Sequence, residues 1–93
     1  MNQFNESPNT MVITLNAILN GEKPVLHVSH DEEDGMWQFL DGSKALDTDN
    51  ARIVTLEEIF KIDESLSSLW DLHLGWIAER VNKEALWNRR KNT

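Results

Sequence analysis

The sequence predicts an α+β domain: a small antiparallel sheet built on a central hairpin and packed against two or three short helices. Three observations carry this. Two short apolar runs, VLHVSH and MWQFL, flank a polar stretch ending in Gly35, the pattern of strand, turn and strand. Thr55-Leu56-Glu57-Glu58 has the hydroxyl and the carboxylate of a capping box, and Leu56, Ile59 and Phe60 share the helical face that follows. A length of 93 residues suits one domain with a modest core.

Residues 1–8 are polar, with Ser7-Pro8 as punctuation, and are expected to form a disordered tail before a single domain over 9–91. Residues 9–20 carry two readings. Met11, Leu15, Ile18 and Leu19 recur at helical spacing, Asn9 or Thr10 can cap the start, and Asn20-Gly21 can end it. Val12-Ile13-Thr14 favours a strand instead. A helix is the expectation here, and Glu22-Lys23-Pro24 breaks the chain after it.

In the hairpin, a loop over Glu32, Glu33, Asp34 and Gly35 sets Asp31 opposite Met36, His30 opposite Trp37, Val28 opposite Phe39 and Leu26 opposite Asp41. That register gathers Leu26, Val28, Trp37 and Phe39 on one face, and a slip of one residue would scatter them. Gly35 supplies the positive φ that such a turn needs. Residues 41–51 form a polar loop with a second turn signal at Asp41-Gly42, and Arg52-Ile53-Val54 reads as a short third strand.

After the capping box, Ile62-Asp63 interrupts. Asp63 can cap a second short helix in which Leu66, Leu69 and Trp70 share a face. Residues 71–91 again carry two readings. Leu74, Ala78, Val81 and Ala85 fit a helix, with Glu79 and Lys83 as a favourable pair one turn apart. Trp76, Ala78 and Arg80 alternate as one face of a strand, with a further strand at Leu86-Trp87-Asn88-Arg89. Periodicity does not separate the two.

Composition narrows the function. Cysteine is absent, which removes disulfides and thiolate metal sites. Packing must supply the core, and four tryptophans and three phenylalanines (4, 39 and 60) offer the large surfaces. No segment is long and apolar enough to span a bilayer. MNQFNESPNT has no positive leader, so cytoplasmic residence is expected. The net charge is −7: residues 1–75 hold fourteen Asp/Glu against four Lys/Arg, and residues 76–93 hold two against five. An acidic body argues against nucleic acid, whose binding rests on attraction to phosphate. It suits a basic protein partner, whose encounter a complementary field speeds.

Several segments together resemble a known family. VSHDEEDGMWQFLDG, then DNARIVTLEEIFKIDESL, then LGWIAERV and a final Trp87 resemble a group of small bacterial domains called domain of unknown function 2185, the immunity-protein-33-like family. The shared pattern is an acidic DG-x-W-x-F-x-x-G segment, here Asp34 to Gly42, and I-x-x-L-x-x-I, here Ile53 to Ile59. I-D-x-S-L follows at Ile62 to Leu66, and G-x-x-A-x-R at Gly75 to Arg80. The resemblance spans roughly residues 24–89. It implies an α+β unit, favours strand over helix for 74–81, and brings no catalytic residues. Some such domains occur in bacterial toxin systems, where they protect the producing cell by binding a toxin.

Three chemistries compete for the stretch from His27 to Asp34. A metal site would use His27, His30, Asp31 and Asp34, but on a strand residues 27 and 30 point to opposite faces. A calcium loop with Gly35 at its sixth position would put His30 first, where a carboxylate belongs. A hydrolase would draw on Ser29, His30 and Asp31, yet neighbouring side chains diverge and no nucleophile motif is present. Neither a metal nor any other cofactor is therefore expected.

A binding surface is the third reading and the one adopted, with a metal-binding or small hydrolytic domain as the alternative. Asp31, Glu32, Glu33 and Asp34, with Asp41, would form its charged part, facing a basic partner such as a toxin. Trp76 and Trp87 are its expected aromatic anchors, and Trp37 and Phe39 belong to the core. Arg80 completes the expected surface, paired with an acid of the body or stacked on a tryptophan. The chain is expected to be a monomer or a weak homodimer.

Overall fold

A computed structural model describes residues 7–43 and 48–92. Among them the chain forms an α+β fold with a six-stranded mixed sheet and short helices. In chain order these are β1 (Met11–Leu15), α1 (Asn16–Leu19), β2 (His27–His30), β3 (Trp37–Leu40), β4 (Ala51–Thr55), α2 (Leu56–Ile62), β5 (Trp76–Glu79) and β6 (Asn88–Lys91). Single turns of 3-10 helix occupy Thr48–Asn50, and Glu64–Leu69 is a longer 3-10 run. The strand order is β4-β1-β3-β2-β5-β6.

β2 and β3 pair in the expected register, with His30 opposite Trp37 and Val28 opposite Phe39. The sheet around them is larger than expected and is not purely antiparallel, because β1 lies parallel to β3, with Ile13 beside Gln38. That strand is the first correction: residues 11–15 are not helical. Val12, Ile13 and Thr14 are β-branched, and β1 sits between β3 and β4 with neighbours on both sides. Val12 and Thr14 are fully buried, and Thr14 Oγ1 donates to Phe39 O at 2.8 Å. The apparent helical period spans a strand–helix junction, since Leu15 ends β1 while Ile18 and Leu19 belong to α1.

One face of the sheet carries the core. Val12, Val28, Trp37, Phe39, Val54 and Ala78 meet Leu56 and Ile59 of α2 and Leu66, Leu69 and Leu72 beyond it. Thr55 caps α2 directly from the end of β4: its hydroxyl accepts from Glu58 N at 3.2 Å and Glu58 closes the box. Asp63 caps the following segment, accepting from Ser65 N at 3.0 Å. That segment is a 3-10 run, which has three residues per turn. Leu66 and Leu69 therefore stack on one buried line, and Trp70 falls off it, 43% exposed. This corrects the shared face expected for all three.

Residues 74–91 resolve as strands, not helix. β5 pairs antiparallel with β2, and β6 with β5. The local helix signal in NKEAL yields only a turn, in which Ala85 N donates to Asn82 O. Of the expected tail 1–8, residues 1–6 lie outside the described residues. Ser7 O accepts from Thr10 N and Pro8 O from Glu57 N. Residues 44–47 of the expected polar loop also lie outside them. Gly42, φ +83°, closes its first turn. No helix among the described residues is long and apolar enough to cross a membrane.

Candidate functional site

The acids of residues 31–34 stand on the β2–β3 turn, and the turn is tightly built. Asp31 N donates to Met36 O and Gly35 N to Asp31 O, each at 2.8 Å. Gly35 has φ +72°, the left-handed conformation that glycine adopts without steric cost. Asp34 Oδ1 accepts from Met36 N at 2.9 Å, and Asp31 Oδ2 accepts from Gln38 Nε2 at 2.6 Å. Beneath the turn, the His30 ring stacks on Trp37 at 4.0 Å between centroids, and Phe39 follows at 6.1 Å. His30 Nδ1 donates to Leu72 O at 2.8 Å, a role set by the carbonyl, which can only accept.

Glu32, Glu33 and Asp34 are exposed and Asp31 half-buried. Together they border an open hollow of about 480 Å³ with Gly75 and Asn92. Gly75 ties that wall down, donating to His30 O and accepting from Asn92 N, each at 2.7 Å. Its φ is +81°, and a Cβ there would stand 2.6 Å from Glu32 Oε2. Among the described residues, none of the four turn acids forms an ion pair.

The other expected surface residues lie elsewhere. Asp41 is at the far end of β3 from the turn, so it does not join the acidic group. It accepts from Ser43 N at 2.9 Å and Ser43 Oγ at 2.7 Å, with Lys23 Nζ 3.9 Å away. Burial works against its ionisation, but the Ser43 hydrogen bonds and Lys23 outweigh it and hold the carboxyl below its ordinary value. Trp76 is half-buried against the core, edge-on to His73 at 5.9 Å. Trp87 is also half-buried.

Arg80 is interior, which corrects its place on the expected surface: 2% of its side chain is exposed. Its Nη2 donates to Asp63 Oδ2 at 2.8 Å, its Nε to Val25 O at 3.0 Å, and its Nη1 to Lys83 O at 3.1 Å. The Trp87 ring covers the guanidinium at 4.2 Å. Both contacts expected of Arg80, an acid and a tryptophan, are thus made, but below the surface. Burial opposes ionisation of Asp63, and hydrogen bonds from Ser65 and Arg80 overcome it, holding its carboxyl below the ordinary range.

The histidines separate as the pleat requires. His30 packs on Trp37, while His27 turns to the opposite face and reaches Glu79 Oε2 with Nδ1 at 3.2 Å. Arg90 holds the other Glu79 oxygen, at 3.0 Å from Nη2. Burial pushes the Glu79 carboxyl up, but Arg90 and His27 together bring it below its ordinary value. An ionised carboxylate only accepts, so His27 Nδ1 is the donor. Among the described residues, no group of three or more His, Asp or Glu is gathered to hold a metal ion.

Pairings across strands were the part sequence reasoning missed. Glu79 with His27, and Asp71 with Arg89 at 2.6 Å, join residues whose separation carries no local signal. The exposed tryptophan is Trp70, not Trp76 or Trp87. Compared with protein-family models, curated proteins and solved structures, the chain has no match.

Proposed function

We propose that this chain is a non-enzymatic protein-binding module of the immunity type, cytoplasmic and free of cofactors. In this reading the 31–34 turn is presented to a basic patch on a partner such as a toxin. The observation that carries it is a contrast among the acids. Among the described residues, Asp41, Asp63, Asp71 and Glu79 are each within reach of a lysine or arginine, while Asp31, Glu32, Glu33 and Asp34 are not, on a turn held by its own hydrogen bonds. Uncompensated charge on a rigid mount suits steering, because the field is not cancelled locally and little ordering is left for binding. The resemblance to the immunity-protein-33-like family supports the class of partner.

The test is a variant with Asp31→Asn, Glu32→Gln, Glu33→Gln and Asp34→Asn, and stopped-flow association with a purified basic toxin. The rate at low salt should fall by roughly tenfold or more, and the salt dependence should flatten. An unchanged rate would remove the docking role.

A further inference from the structure

A cleft of about 640 Å³ lies toward the Asp41 end of β3, and three elements build it. Its floor is a sheet face. His27 of β2 sits directly opposite Leu40 of β3, and alternation puts both on the face away from Val28 and Phe39. Leu15, the last residue of β1, adds to that floor. One wall is α1, where Asn16, Ala17 and Asn20 fall three and four residues apart and so share one side. The other wall is the turn after β3, fixed by the two hydrogen bonds from Ser43 to Asp41. The chain around α1 is held too, with Asn20 N donating to Asn16 O at 2.9 Å and Glu22 N to Ala17 O at 2.8 Å. Walls already held in one shape need little ordering when a ligand enters.

The groups on these walls define the ligand. Among the described residues, the side-chain amides of Asn16 and Asn20 make no hydrogen bond within the chain. Each offers two donors and an acceptor. His27 Nδ1 is committed to Glu79, so Nε2 is the ring atom left for a ligand. The charged groups are largely engaged: Asp41 accepts from Ser43 and lies 3.9 Å from Lys23 Nζ, which leaves the exposed Glu22. That balance favours neither an anion nor a cation. No aromatic ring is among the described lining residues, so a flat base has nothing to stack on. The sheet presents its face here and not an edge, so an extended peptide finds no strand to pair with. Hydroxyl groups, which both donate and accept, match the amides, and C–H surface matches Leu15 and Leu40.

We propose that this cleft binds a small neutral polyhydroxyl ligand of the monosaccharide class. The Asn16 and Asn20 amides and His27 Nε2 take its hydroxyls, and Leu15 and Leu40 lie beneath its C–H face. The volume falls within the range of small-molecule sites. An open cleft without an aromatic platform binds weakly, in the millimolar range. The site does not depend on a protein partner at the 31–34 turn, so it stands or falls apart from the immunity reading.

The test is nuclear magnetic resonance of the isotope-labelled full chain. It is titrated in turn with glucose, galactose, mannose, N-acetylglucosamine and inorganic phosphate, each to about 100 mM. At least one sugar should saturate, shifting the side-chain amide signals of Asn16 and Asn20 together with the His27 ring. Added salt should leave that affinity unchanged, because the ligand is neutral. Asn16→Ala with Asn20→Ala should weaken binding by about tenfold or more, since two hydrogen bonds are lost. An unfolding midpoint equal to wild type establishes that this variant folds. Asn20→Ala alone, at an exposed position, should weaken binding by a smaller factor. Saturation by none of the four sugars overturns the proposal, whatever the variants do. Phosphate binding at these signals does so too, because it marks an anion site, as does sugar binding that the variants leave unchanged.

Discussion

A guanidinium with 2% of its side chain exposed must find partners for its donors inside the protein, and Arg80 finds four: Val25 O, Asp63, Ser65 Oγ and Lys83 O. These acceptors come from the start of the hairpin, the end of α2, the 3-10 segment and the β5–β6 connection. One side chain therefore ties the start of the hairpin, the junction of α2 with the 3-10 segment and the β5–β6 connection to one another. A buried ion pair is not in itself strong evidence for stability, because removing two charges from water offsets much of their attraction. Losing one partner is a different matter, since the survivor stays buried and uncompensated. Arg80→Met should therefore destabilise the domain by about 3–5 kcal/mol, measured by urea unfolding, and Arg80→Met with Asp63→Leu should recover part of that loss. A double variant no more stable than Arg80→Met alone would show that the other three acceptors, not Asp63, carry the cost.

Elements show where local sequence decides structure and where it does not. The hairpin register was legible because Val28, Trp37 and Phe39 must all reach one face and Gly35 must take the turn. The α2 start was legible because a capping box acts within four residues. β1 was not, because its central place depends on strands far along the chain that supply both its edges, and its own apolar spacing continues into α1. The acidic turn was legible as a turn. Among the described residues its acids form no ion pair, whereas Asp63 and Glu79 do, because Arg80 follows β5 and Arg90 lies on β6, and both strands fold back beside β2. Both outer strands also limit further pairing, by different means. β6 is basic and wholly exposed. On β4, Arg52 Nη1 donates to Ala51 O at 2.8 Å, and Thr55 N donates to Glu58 Oε1 at 3.5 Å. Thr55 thus serves the strand edge and the helix start together, with no loop between them. Thr55→Ala should cost about 1 kcal/mol by urea unfolding, with the loss coming from α2 and its contacts. A change within a few tenths would mean that packing of Leu56 and Ile59 alone sets the helix start.

For the whole molecule, two electrostatic effects oppose each other as the pH falls. At neutral pH the net charge of −7 produces self-repulsion, and mild acid relieves it. Against this stand Asp41, Asp63, Asp71 and Glu79, whose carboxyls all lie below their ordinary values in the folded chain. A carboxyl whose value is depressed by folding binds protons more readily when the chain is unfolded. It contributes stability that is complete above the unfolded value, and that stability disappears as the pH falls through the folded value. Asp71 and Glu79 are about half exposed, so solvent and salt screen their share. Asp63, with 8% of its side chain exposed and an arginine against it, carries the larger part. The urea midpoint should therefore hold or rise slightly from pH 7 to about 5, then fall steadily below about 4, where the unfolded carboxyls begin to protonate. Added salt should flatten the upper part of that profile and leave the acid limb, because the Debye length shortens for exposed charges while the buried pair is little screened. Asp63→Asn should lower the midpoint at neutral pH and make the acid limb shallower. An acid limb of unchanged steepness in that variant would assign the loss to general charge repulsion instead of to the Arg80–Asp63 pair.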